Sequence, residues 1–89
     1  MSAITITRTG TTPTFQLVGG LNNFSMTGDF NDATCILEWN NGIKWLAVDA
    51  RTSLHSEGHA NFQLPTVDMR VNVINATATL SLTGRVLSI

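Results

Sequence analysis

Two histidines and a glutamate stand two residues apart in His55-Ser56-Glu57-Gly58-His59, the only grouping of metal-capable side chains in the sequence. On an extended chain residues 55, 57 and 59 share one face, and imidazole, carboxylate and imidazole suit a transition metal. Gly58 interrupts the run in a polar stretch, and no second grouping supplies a fourth ligand or the partners that orient a ligating ring. No metal site is therefore expected. Asp29-Phe30-Asn31-Asp32 gathers oxygen donors but lacks the length, central glycine and terminal glutamate of a calcium loop. It reads as a turn in which Asn and Asp side chains bond their own backbone. Cys35 lies beside Ile36 and Leu37, so it reads as a small buried hydrophobe. There is no Gly-x-Ser-x-Gly elbow for a nucleophile. Gly19-Gly20 has neither the lysine nor the helix of a phosphate loop and reads as a turn between strands. The expectation is no enzyme and no cofactor.

Aromatic residues offer the remaining chemistry. Trp39 and Trp45 flank Asn40-Asn41-Gly42. Tryptophan at such positions is either core or, when exposed, a platform that stacks on sugar rings or anchors a protein contact. Stacking on single-stranded nucleic acid would need basic residues interleaved with the rings. Arg8, Lys44, Arg51, Arg70 and Arg85 are scattered instead, and nucleic acid is not an expected partner.

The elements that would hold these residues alternate with period two in nearly every segment, while no long stretch keeps a helical apolar period. Strands are expected at residues 3–8, 14–18, 23–30, 33–39, 43–48, 61–64, 69–73 and 76–83, with 85–89 as a further edge. Asn41-Gly42 between two β-rich runs predicts a hairpin with a two-residue turn. That turn would set Trp39 opposite Lys44, Leu37 opposite Leu46 and Cys35 opposite Val48. The opposite face carries Ile36, Glu38, Trp45 and Ala47, so both faces are largely apolar. Such a hairpin is buried on two sides or covered by another chain, which makes Ile36, Trp39, Ile43 and Trp45 the candidate interface residues. The reading is a single domain over residues 1–89, an all-β antiparallel β-sandwich or barrel of seven or eight short strands.

Composition bounds what such a domain does. The 89 residues carry 5 basic and 6 acidic side chains, a net charge of −1. That is too weak a field for generic binding to nucleic acid or anionic lipid. No apolar run reaches the length of a membrane span. The first residues show no secretory signal, and the lone cysteine makes no internal disulfide, so folding in a cytoplasm is expected. Polar character comes instead from 13 Thr, 8 Asn and 6 Ser. A chain of this size has a marginal core, and hydroxyl and amide rows can be buried against another protein without stranding charges.

The order of small motifs adds a resemblance. Phe15-Gln16-Leu17-Val18-Gly19-Gly20 is followed by the hairpin ending Trp45-Leu46-Ala47-Val48, and then by Gly58 and Phe62-Gln63-Leu64-Pro65. Arg70-Val71-Asn72-Val73 and the run from Ala76 to Leu82 complete the series. From Thr14 to Thr83 the chain resembles short β-rich proteins encoded by tailed bacteriophages among their head genes, of the capsid-decoration, cement or head-fibre type. It departs from them in having Asn41-Gly42 where an Asp-Gly turn is frequent, and Thr66-Val67-Asp68 where a Pro-Gly turn is frequent. The resemblance implies a non-enzymatic virion protein on the capsid surface, made in the host bacterial cytoplasm. Its implied partners are the major capsid protein and further copies of itself, as a homotrimer. The alternative is a carbohydrate-binding or host-recognition module using an exposed Trp.

Overall fold

A computed structural model describes residues 3–89 of the chain. In chain order the strands are β1 (Ile4–Ile6), β2 (Gly10–Thr11), β3 (Phe15–Leu17), β4 (Gly20–Asp29), β5 (Thr34–Asn40) and β6 (Trp45–Ala47). After a 3-10 turn at Ala50–Thr52 come β7 (Ser53–Leu54), β8 (Gly58–Leu64), β9 (Val67–Ile74) and β10 (Ser81–Ser88). One sheet has the order β1-β10-β4-β8. The second runs β2-β9-β5-β6, with β3 also on β9 and β7 also on β5, and every pairing is antiparallel.

Two edges of the second sheet are single strands interrupted midway. Thr12 bridges β2 and β3, its N–H donating to the Val71 carbonyl at 2.9 Å and its hydroxyl accepting from the Val71 N–H at 3.0 Å. On the other edge the Val48 N–H donates to the Leu37 carbonyl at 3.0 Å, carrying the pairing from β6 toward β7. With each interrupted edge counted once, four strands lie over four. The chain visits the sheets in the strand order of an eight-stranded jelly roll.

Alternation supplies the core between the layers. Phe24 and Met26 of β4, Cys35 and Leu37 of β5, Met69, Val71 and Val73 of β9, and Leu82 and Val86 of β10 point inward and are buried. Large residues meet small ones across the first sheet: Met26 lies opposite Gly84 and Gly58, and Phe24 opposite Val86 and Ala60.

Three sequence expectations change at this level. The hairpin register slides by two, so that Trp39 faces Leu46 and Glu38 faces Ala47, while Cys35 faces Leu54 of β7. A two-residue type I′ turn needs positive φ at both central residues, but Gly42 has φ 94° and Asn41 is not among the positive-φ residues. The loop widens to residues 41–44 because the Asn41 side-chain oxygen accepts from the N–H groups of Ile43 and Lys44, both at 2.9 Å. An even slip keeps each side chain on its expected face.

The expected strand at 76–83 is mostly loop. Asn75, at φ 64°, turns the chain out of β9. Thr77 then donates from its N–H and its hydroxyl to the Asn31 carbonyl, at 2.9 and 3.0 Å, and the Asn31 amide donates to the Thr79 carbonyl at 2.7 Å. The Asn31 and Asp32 side chains thus bond a neighbouring loop, at Thr79 and Thr77, in place of their own backbone. Finally, residues 85–89 form no separate edge: β10 runs through Gly84 and is a central strand. Glycine stands there because a Cβ would lie 2.5 Å from the Met26 sulfur.

The break between β6 and β7 is held by a reciprocal cap. Asp49 Oδ1 accepts from the Thr52 N–H at 3.0 Å, and Thr52 Oγ1 accepts from the Asp49 N–H at 3.2 Å. Partial burial pushes the Asp49 carboxyl up, but the bonds from Thr52 and Arg51 outweigh it and hold the group below its ordinary value. Its contribution to stability is present above the unfolded value near 3.8 and is lost as pH falls through the lower folded value. Asp49→Ala is expected to cost about 1 kcal/mol in urea unfolding at pH 7, with the difference from wild type vanishing in strong acid.

Candidate interaction surface

The alternation between sheets sorts the loops into two groups. Residues 18–19, 41–44 and 65–66 lie at one end of the sandwich with the end of β10. Residues 7–9, 30–33, 55–57 and 75–80 lie at the other. Exposed large apolar side chains follow this division. Among the described residues Val18 (76% exposed), Leu21 (45%), Ile43 (90%), Leu87 (38%) and Ile89 (67%) sit at the first end, and only Ile74 sits at the second. Scattered surface hydrophobes need no explanation, but their convergence on one end makes that end the candidate contact surface.

Local hydrogen bonds present these side chains outward. The buried Asn22 amide donates to the carbonyls of Val18 at 3.3 Å and Gly20 at 3.2 Å, fixing the crossover that carries Val18. Ile89 extends the β10–β4 ladder past Ser88, its N–H donating to the Leu21 carbonyl at 3.0 Å. In the 41–44 loop, Asn40 Oδ1 accepts from Gly42 N–H at 2.8 Å, and Asn41 holds the next two N–H groups. Ile43 is therefore an exposed side chain on an ordered tip.

The four candidate residues do not form one surface. Ile43 belongs to the apolar end. Trp39 is half-buried against the core, across from Met69 and Leu46. Ile36 and Trp45 lie on the outer face of the second sheet, where Glu38 accepts from Arg70 Nε at 2.8 Å and the Arg70 guanidinium sits 4.3 Å from the Trp45 ring centroid. One face of Trp45 is thereby taken by a cation. Sequence reasoning missed Val18, Leu21, Leu87 and Ile89. Each reads as an ordinary strand residue, and only the sheet order brings them together.

His59 and Glu57 have different partners. His59 Nδ1 lies 3.3 Å from the Asn23 amide on the outer face of the first sheet, whereas Glu57 Oε2 accepts from the Gly28 N–H at 3.0 Å. Among the described residues no three metal-capable side chains converge. Burial pushes the Cys35 thiol up to about 11, so it is expected to resist a disulfide reagent at pH 8 until urea unfolds the chain. The unfolded thiol ionises from about pH 9 while the folded one keeps its proton, so stability should fall between pH 9 and about 11. Cys35→Ala is expected to flatten that slope.

The outer face of the first sheet is a field of hydroxyls and amides: Thr5, Thr83 and Thr27 align across three strands, and Asn23 donates to Asn61 at 2.8 Å. No family model, curated protein or solved structure matches the chain.

Proposed function

We propose that the chain is a non-enzymatic structural protein that decorates or cements an assembled phage capsid, acting as an oligomer through β-sandwich contacts. The observation that carries this reading is the two-ended surface: exposed apolar side chains gather at one end, while hydroxyl and amide rows, with Arg85 among them, cover a broad outer face. Such a molecule is suited to contacts with other protein subunits. The phage shell, with the major capsid protein as partner and the virion as location, enters through the motif order from Thr14 to Thr83.

Jelly rolls serve both viral shells and sugar-binding domains, so the fold by itself favours neither. A tryptophan platform for glycans has less support, because Arg70 occupies one face of Trp45 and Trp39 packs toward the core. The test is sedimentation of the purified protein with expanded shells that lack it. Saturable co-pelleting is expected, and protein that remains in the supernatant at every ratio would remove the capsid from the proposal.

A further inference from the structure

We infer that the apolar end docks a second copy of this chain, with Ile43 of each copy entering a small apolar cavity of the other. This rests on reading that end as an assembly surface. The cavity, about 110 Å³, lies at the same end and is lined by Gln16, Leu17, Val18, Asn22, Val86 and Ser88. It is smaller than the ~150 Å³ apolar cavity that accepts benzene and matches one aliphatic side chain. Ile43, 90% exposed on an ordered tip, is that side chain.

Charge selects the partner. Lys44 and Asp68 are exposed at this end, and neither joins the ion pairs found among the described residues, Arg51 with Asp49 and Arg70 with Glu38. Lys44 follows Ile43 in the chain, while Asp68 pairs across the sheet with Gln16, which lines the cavity. Seating Ile43 of one copy in the cavity of another therefore carries its Lys44 toward the other's Asp68. A two-fold axis makes the same contact twice, since an isologous interface places each residue of the pair on its counterpart. A net charge of −1 opposes such pairing only weakly. The complement to both the knob and the charges is thus present on every copy.

Sedimentation equilibrium and native mass spectrometry test the contact. Wild type should form a dimer. Ile43→Ser, Lys44→Glu and Asp68→Lys should each keep a wild-type far-ultraviolet spectrum and weaken association at least about tenfold. An equimolar mixture of the two charge variants should form a mixed dimer close to wild-type affinity, because each supplies the sign the other lacks. Wild type that stays monomeric at millimolar concentration, single reversals without effect, or a mixture without recovery would overturn the proposal. A trimer would overturn the two-fold contact, because a ring of three passes Ile43 and Lys44 head to tail from each copy to the next and makes no reciprocal pair. If wild type is monomeric and Ile43→Ser abolishes shell co-pelleting, the end belongs to the shell. Dimers that ignore shells would instead remove the capsid and leave this contact standing.

Discussion

Gly28→Ala is expected to lower the unfolding free energy by about 3 kcal/mol or more, measured by urea denaturation with a Gly42→Ala control. Gly28 sits in the central strand β4 with φ 119°, a backbone region closed to side chains. Holding alanine in such a conformation costs on the order of 1–3 kcal/mol. There is also a collision, because an added Cβ would run into the Ser81 carbonyl on the neighbouring strand β10. That neighbour is backbone and cannot rotate away, so relief requires opening the ladder at roughly 1 kcal/mol per lost bond. It would also draw the Gly28 N–H from the Glu57 carboxylate that accepts it at 3.0 Å. Gly42 shares the positive φ, at 94°, but lies in an exposed loop with open space where a Cβ would stand. Its replacement should cost strain alone. Equal losses at the two positions would show that the collision is relieved cheaply. A domain of 89 residues has a total stability of roughly 4–13 kcal/mol, so the Gly28 change alone removes a large share.

Residues such as Gly28 mark the limit of what the sequence discloses. Alternation identifies nearly every strand and its inner face, because side-chain direction in a strand is a local property: Phe24, Met26, Leu37, Val71 and Val73 are readable without knowing their neighbours. Register is not local. The hairpin slip follows from Asn41 binding the N–H groups of Ile43 and Lys44, an alternative to the tight turn that the Asn-Gly pair also permits. The segment 76–80 alternates as a strand does, yet its hydroxyls serve the Asn31 turn, 46 residues away at Thr77. Gly84 reads as a breaker until Met26 is found lying over it. The apolar end was least legible. Ile43 could be suspected from its place beside Asn41-Gly42, but Val18, Leu21 and Leu87 come together only through the crossing of strands between sheets. A surface assembled from residues distant in the chain leaves no periodic trace in it.

Phe24→Ala should have the largest effect in the core, and the Tm that remains should depend on protein concentration. Phe24 is fully buried, and its register partners Val86 and Ala60 are too short to fill the space it would leave. Truncation of a buried phenylalanine costs about 3–5 kcal/mol through lost transfer energy and an unfilled cavity. At about 4–8 °C per kcal/mol for a domain of this size, Tm should fall by more than about 12 °C. If copies pair through the apolar end, mass action stabilises the folded variant as it does wild type: a partner present at about one hundred times Kd adds about 2.7 kcal/mol to the folded state. The added stability is large enough that the Tm of Phe24→Ala should rise by several degrees or more between dilute and concentrated protein. Adding Ile43→Ser should abolish that dependence while leaving the dilute Tm unchanged, since a side chain 90% exposed contributes little to the isolated fold. A Phe24→Ala Tm that is the same at low and high concentration would mean that the sandwich core carries the whole stability of the chain and that the apolar end contributes nothing to it.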